Sequence, residues 1–151
     1  MHQISPHLLW LGHAGDGRDL RAIFAQGIRA RVELAAEEPL APASHDLMTC
    51  RFPLVDGNGN EPALVRMALR TVACLLQEKV PTLVCCGAGL SRSPAVAAGA
   101  IALLTGERPE DCLVRVSAHH PADLVPGLWH EVAKTVTPLL HEIRATFPGP
   151  S

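Results

Sequence analysis

Thr82-Leu83-Val84-Cys85-Cys86-Gly87-Ala88-Gly89-Leu90-Ser91-Arg92-Ser93-Pro94-Ala95-Val96 reads as an apolar strand, a glycine-rich turn and the start of an alanine-rich helix. Such a corner belongs to an open parallel sheet, where ligands bind beyond the carboxyl ends of the strands and a helix N-terminus offers unpaired N–H groups to an anion. Gly87, Ala88 and Gly89 are small enough for successive backbone N–H groups to turn inward as a concave nest, which Leu90 and Ser91 close. Arg92, in the first helical turn, adds a planar fork able to hold two oxygens of one tetrahedral anion. The same positive surroundings favour a thiolate at Cys86, the form that attacks. One loop would then bind a dianion and activate a nucleophile.

Outward from this corner, Ile4 to Leu11 ends at Gly12 and reads as a first strand. Gly12 to Gly17 is a turn, with Asp16 placed to cap a helix over about 17–26 that Gly27 ends. Ile28 to Ala35 reads as a second strand, Glu37 to Pro42 as a loop broken by two prolines, and Leu47 to Val55 as a third strand. Asp56 to Pro62 is a loop by composition. Its Asp56, Asn58 and Asn60 begin like a calcium loop, but Glu61 stands where that loop needs glycine and Met67 where it needs glutamate.

From Pro62 to Glu78, Leu64, Met67, Ala68, Thr71, Val72, Leu75 and Leu76 keep a helical period, and Pro81 then opens the central strand. The helix after the loop runs to about Thr105, and a short one spans Pro109 to about Ser117. His119-His120-Pro121 makes a break, and a last helix runs over about 127–146, interrupted near Pro138. A Pro/Gly tail at 147–151 is expected to fray. The alternation implies one α/β domain over 1–151, a mostly parallel central sheet flanked by helices on both faces.

Composition narrows the function classes. With 151 residues, 48% of them hydrophobic, the chain can bury one core. A net charge of -2 supplies no global footprint for nucleic acid or an anionic membrane, so anion binding must be local. The longest apolar run, Ala95 to Leu104, is too short to span a bilayer and is interrupted by Gly99. With no basic segment and apolar run at the N-terminus, a soluble cytoplasmic protein is expected. The five cysteines are odd in number and lack C-x-x-C spacing, which argues against a disulfide framework and a metal site. Cys50, Cys74 and Cys112 read as small buried hydrophobes. No histidine shows metal-site spacing, and His119 and His120 read as helix-end residues with a structural role.

Cys86-Gly87-Ala88-Gly89-Leu90-Ser91-Arg92-Ser93 resembles the C-x5-R signature of the cysteine-dependent protein tyrosine phosphatases, in the C-x-A-G-x-S-R-S version of the small dual-specificity phosphatases. Leu8-Leu9-Trp10-Leu11-Gly12 is similar to the family's opening strand, Gly27-Ile28 to the turn before its second, and Arg51-Phe52-Pro53-Leu54-Val55-Asp56 to the strand that delivers its acid. The resemblance implies a dual-specificity phosphatase fold and hydrolysis of phosphomonoesters, with phosphoprotein as the expected partner and no metal or other cofactor. It implies Cys86 as the nucleophile that forms a phosphocysteine, with Arg92 clamping the phosphoryl oxygens. Ser93 would hydrogen-bond the Cys86 sulfur, and Asp56, 30 residues upstream, would act as general acid and then base.

Two positions depart from the pattern. Cys85 stands where the family usually has His, and His120-Pro121 where it often has Arg-Pro. Alternation along the strand turns Cys85 away from Cys86; the sharper reading, a redox partner for Cys86, requires a strained vicinal bridge. Two other readings compete with the phosphatase: a phosphate-binding module without turnover, and a sulfurtransferase or arsenate reductase built on a Cys-headed loop. Asp56 and the Ala-Gly-x-Ser-Arg-Ser pattern favour phosphoryl transfer. With 3% aromatic residues and no Tyr, a shallow pocket accepting phosphoserine, phosphothreonine and phosphotyrosine is expected, with metabolites, lipids and RNA ends as other substrates.

Overall fold

A computed structural model describes residues 1–146 and Gly149. The expected tail at 147–151 lies outside the described residues apart from Gly149. Five strands, β1 (His2–Gln3), β2 (Leu9–His13), β3 (Ala30–Ala35), β4 (Met48–Leu54) and β5 (Thr82–Cys86), form one sheet in the order β1-β2-β5-β3-β4. β1 pairs antiparallel with β2 and every other pairing is parallel. β5 therefore lies at the middle of the sheet, and Cys86 is delivered from its carboxyl end.

The helices α1 (Ala14–Arg18), α2 (Leu20–Ala25), α3 (Pro62–Gln77), α4 (Arg92–Thr105), α5 (Pro109–His119) and α6 (Pro126–Thr146) cover both faces, unequally. Ile23 of α2 closes a small cluster with Trp10, Ile28, Leu47, Leu83 and Cys85. The opposite face carries the main core, where Leu9, Leu11, Val32, Leu34 and Val84 meet α3, α4 and α6. Fully burying a side chain of that size contributes about 1.5–3 kcal/mol, so this face supplies most of the driving force. α4 is its centre, buried at every residue from Arg92 to Leu103. Alanine at 95, 97, 98, 100 and 102 and glycine at 99 let its neighbours come close; a Cβ on Gly99 would sit 2.6 Å from Leu69. Among the described residues, no helix is long and apolar enough to cross a membrane.

Several expectations are corrected. The strand expected over Ile4 to Leu11 begins only at Leu9 and continues to His13, because Ile4 to Leu8 forms a turn in which the Ile4 carbonyl accepts from His7 N–H; the short β1 lies before that turn. Residues 12–17 are not a plain turn. α1 forms there, capped reciprocally by His13 and Asp16, while Asp19 rather than Asp16 caps α2 through a bond from Ala22 N–H. The buried stripe of α3 is Val65, Ala68, Leu69, Val72, Ala73 and Leu76, leaving Met67 57% exposed. α6 continues through Pro138, whose ring faces solvent while Val136 and Leu139 on the buried side keep the helix docked. Cys74 is exposed and Cys50 half-buried, so only Cys112 of the three is a buried hydrophobe.

Candidate active site

The loop from Gly87 to Ser91 joins β5 to the N-terminus of α4, where Ser91 occupies the N-cap without capping through its side chain. Its Oγ instead accepts from Val125 N–H at 3.0 Å. The first N–H groups of α4 thus have no side-chain cap and remain available to an anion. Among the described residues, no protein acceptor takes the N–H of Gly87, Ala88, Gly89, Leu90 or Ser91. Three loop carbonyls are held from outside: Gly87 by Ala14 N–H at 3.0 Å, Leu90 by Asp123 N–H at 2.8 Å and Gly89 by His120 Nε2 at 2.6 Å. In a trans peptide the N–H points opposite to the carbonyl before it. Pinning these three aims the N–H groups of Ala88, Ser91 and Leu90 the other way, which builds a nest.

Gly89 is essential to this shape. Its φ is +75°, and a Cβ there would lie 2.9 Å from the carbonyl carbon of Gly12. The tip of β2 therefore packs directly on the loop, and both the conformation and the contact exclude a side chain.

Cys86, Arg92 and Asp56 line one cleft together with Ala88, Leu90, Ser91, Asp123 and Val125. The sequence-predicted trio is thus brought together. Cys86 is buried, and Asp56 is exposed in the loop after β4. That loop is tied down: Asn60 bonds the Val55 N–H and carbonyl, and Glu131 of α6 accepts from Asn60 Nδ2 and Gly59 N–H. Ser93 is fully buried and its Oγ has no hydrogen-bond partner, so the expected bond to the Cys86 sulfur is not formed in this arrangement.

Arg92 carries a partner that the sequence reading missed. Both Nη atoms bond the Glu37 carboxylate, and Nη1 also donates to the Leu54 carbonyl at 2.9 Å. The hydrogen bond from Arg92 holds the Glu37 carboxyl at about 2, against an ordinary 4.5, and the pairing raises Arg92 in turn. A guanidinium has five N–H donors. Those left are one on Nη2 and the buried, unpartnered Nε–H, which lie along the same edge of the planar group. Glu37 thus takes one fork of Arg92 and leaves a second.

Cys85 lies on the other face of β5. Its Sγ donates to the Val32 carbonyl, and burial pushes its thiol up to about 12. A Cβ on Gly17 would sit 2.7 Å from that sulfur. α1 therefore packs the backbone of Gly17 directly on the Cys85 sulfur, leaving no room there for a side chain at 17. His120 was read as a helix-end residue, but it is buried against the loop. The His-Pro pair, standing where the resemblance leads one to expect Arg-Pro, was the available signal. Among the described residues, no group of three or more His, Cys, Asp and Glu side chains could hold a metal ion.

No family model matches the chain, and no curated protein sequence does. Solved structures match it along nearly its whole length. Human DUSP28 superposes with a TM-score of 0.82 at 21% identity, covering 94% of this chain and 99% of that one. A mouse putative dual specificity phosphatase complexed with zinc tungstate gives 0.80 at 20% identity, covering 96% and 89%. DUSP15 gives 0.76 at 22% identity, covering 99% and 97%. The fold is that of the dual-specificity phosphatases.

Proposed function

We propose that the protein is a cysteine-dependent phosphatase that hydrolyses phosphomonoesters of proteins, on serine, threonine and tyrosine, through a phosphocysteine intermediate. The observation that carries this reading is the buried guanidinium of Arg92, with a fork edge still unpartnered, lining one cleft with Cys86 and Asp56. A buried donor without a partner calls for an acceptor, and a phosphoryl oxygen is the acceptor that the adjoining nest also suits.

In this reading the Cys86 thiolate attacks phosphorus, and an S–P bond forms as the bond to the leaving oxygen breaks. Asp56 gives its proton to that oxygen. Water then attacks phosphorus while the Asp56 carboxylate takes a proton from it. The S–P bond breaks, phosphate leaves and the thiolate returns. The loop N–H groups and Arg92 hold the equatorial oxygens as charge develops. Ser93, whose buried hydroxyl has no other partner, is the group available to hydrogen-bond the departing sulfur.

The test is hydrolysis of p-nitrophenyl phosphate under reducing conditions from pH 5 to 7. Turnover is expected in the wild type and is abolished in Cys86→Ser with oxyanion binding retained. Asp56→Asn should lower kcat most for poor leaving groups; equal loss on good and poor ones rejects Asp56 as the acid. A second reading, a phosphate-binding module without turnover, is favoured by one contact, the Glu37 carboxylate already seated on Arg92. An inactive wild type that still binds phosphate would establish that reading instead.

A further inference from the structure

We propose that His120 is a positioning residue of the nucleophile loop, fixing the Gly89–Leu90 peptide so that the Leu90 N–H faces the bound oxyanion. The inference rests on the loop being an oxyanion nest, and on the phosphatase reading only for its effect on turnover. Of the three carbonyls held from outside, Gly87 and Leu90 are pinned by backbone N–H groups of Ala14 and Asp123, while Gly89 alone depends on a side chain. It is also the peptide most in need of a pin. Glycine has the widest conformational freedom in the loop, and turning this one plane would swing the Leu90 N–H out of the nest.

The imidazole is itself oriented. A carbonyl only accepts, so the 2.6 Å contact requires a proton on His120 Nε2. His120 Nδ1 faces His2 Nδ1 at 2.9 Å, and two such nitrogens bond only when one carries a proton and the other does not. With His120 neutral, its Nδ1 is bare and His2 donates, so His2 on β1 selects the tautomer that Gly89 needs. A proton on His120 Nδ1 would meet the His2 N–H, so the bond between the rings survives it only if His2 moves its proton to Nε2 and accepts instead. Burial is the largest influence keeping His120 below its usual 6.5, aided by His2 and the Met1 amine and opposed by the Gly89 bond and Asp16. Neutral His120 is therefore the resting form at neutral pH.

The experiment contrasts two amides that differ in reach. Gln places its amide nitrogen near the position of Nε2, whereas Asn reaches only to that of Nδ1. Sulfate, an unreactive tetrahedral dianion, serves as the probe, its affinity read from the backbone amide shifts of the loop at pH 7.5. In parallel, kcat/KM is measured on p-nitrophenyl phosphate. His120→Gln should stay within about twofold of wild type in both, and His120→Asn should lose about tenfold in both, the worth of one such hydrogen bond. Long-range nitrogen–proton spectra of the wild type should show His120 protonated at Nε2. His2→Ala, at an exposed position, should leave the fold intact while letting the Nδ1–H tautomer appear.

Sulfate affinity in His120→Asn equal to wild type overturns the inference, as does a wild-type His120 protonated only at Nδ1. If His120→Asn does not fold, the tautomer spectra of wild type and His2→Ala decide it. An inactive wild type with the sulfate series as expected removes the phosphatase reading and keeps the brace. An active wild type with a flat series removes the brace alone.

Discussion

Glu37 spends its carboxylate on Arg92, and this sets how the pair responds to pH. Its carboxyl is held at about 2, where the unfolded chain would have about 4.5. The folded state therefore binds fewer protons across that interval, and the pair's contribution is complete above pH 4.5 and lost as pH falls through 2. Because Glu37 is exposed, solvent screening keeps the stabilisation to about 1 kcal/mol or less. Glu37→Gln should accordingly melt below wild type at pH 7, with the two melting temperatures converging as pH drops from 4.5 toward 2. A gap that persists unchanged at pH 2 would mean that Glu37 acts through packing instead. That Cys86, Arg92 and Asp56 share a cleft was legible in the sequence because a loop between strand and helix keeps residues 86 and 92 at fixed spacing and Asp56 follows a strand end. Glu37 was not, since nothing local to it encodes the chain reversal that brings it to the loop, and His120 was marked only by its place before Pro121, which does not say what the side chain touches.

At the scale of elements, α1 is the clearest case of tertiary contacts overriding propensity. Ala14–Arg18 contains two glycines, and glycine costs a helix about 1 kcal/mol relative to alanine. The helix forms because His13 and Asp16 cap it and the fully buried Arg31 donates to the Gly17 carbonyl at 2.8 Å. Arg31 also reaches the Pro42 carbonyl and lies 3.7 Å from Glu33, so one guanidinium ties β3 to α1 and to the loop that carries Glu37. The alternation of Arg31 and Glu33 with Val32 and Leu34 is visible in the sequence as a strand. That the charged side is buried is not, because an alternating strand normally turns such a face to water. Arg31→Met should cost about 3 kcal/mol in urea unfolding, as expected when one partner of a buried charged network is removed. A loss below about 1 kcal/mol would show that water replaces the guanidinium freely. β5 and α4, which carry the loop, were legible because Pro81 and Gly87 bound the apolar run of the one and Gly106 ends the other, whereas β2 was misplaced because Gly12 lies inside the strand rather than at its end.

For the whole molecule, charge bears on which phosphomonoesters the cleft would take under the proposed function. The chain carries a net charge of -2, and the cleft lining holds Asp56 and Asp123 with Arg92 as its one cation among the described residues. Glu37 already offsets much of the Arg92 charge. A single phosphate on an otherwise neutral or basic carrier meets the nest and the free guanidinium edge. A carrier with further phosphates brings added negative charge toward two carboxylates, with no lysine or second arginine among the described residues lining the cleft to receive it. Like charges at about 4 Å in a partly screened cleft repel by a few kcal/mol at most, enough to set an order of preference. Phosphopeptides flanked by arginine should therefore exceed both acidic-flanked phosphopeptides and soluble phosphoinositides by at least about tenfold in kcat/KM. The margin should shrink with added salt. Asp123→Lys leaves the Asp123 backbone N–H free to hold the Leu90 carbonyl, so it should narrow or reverse that order without abolishing turnover. An unchanged order in that variant, or a wild type that prefers the phosphoinositide, would assign substrate choice to shape rather than to charge.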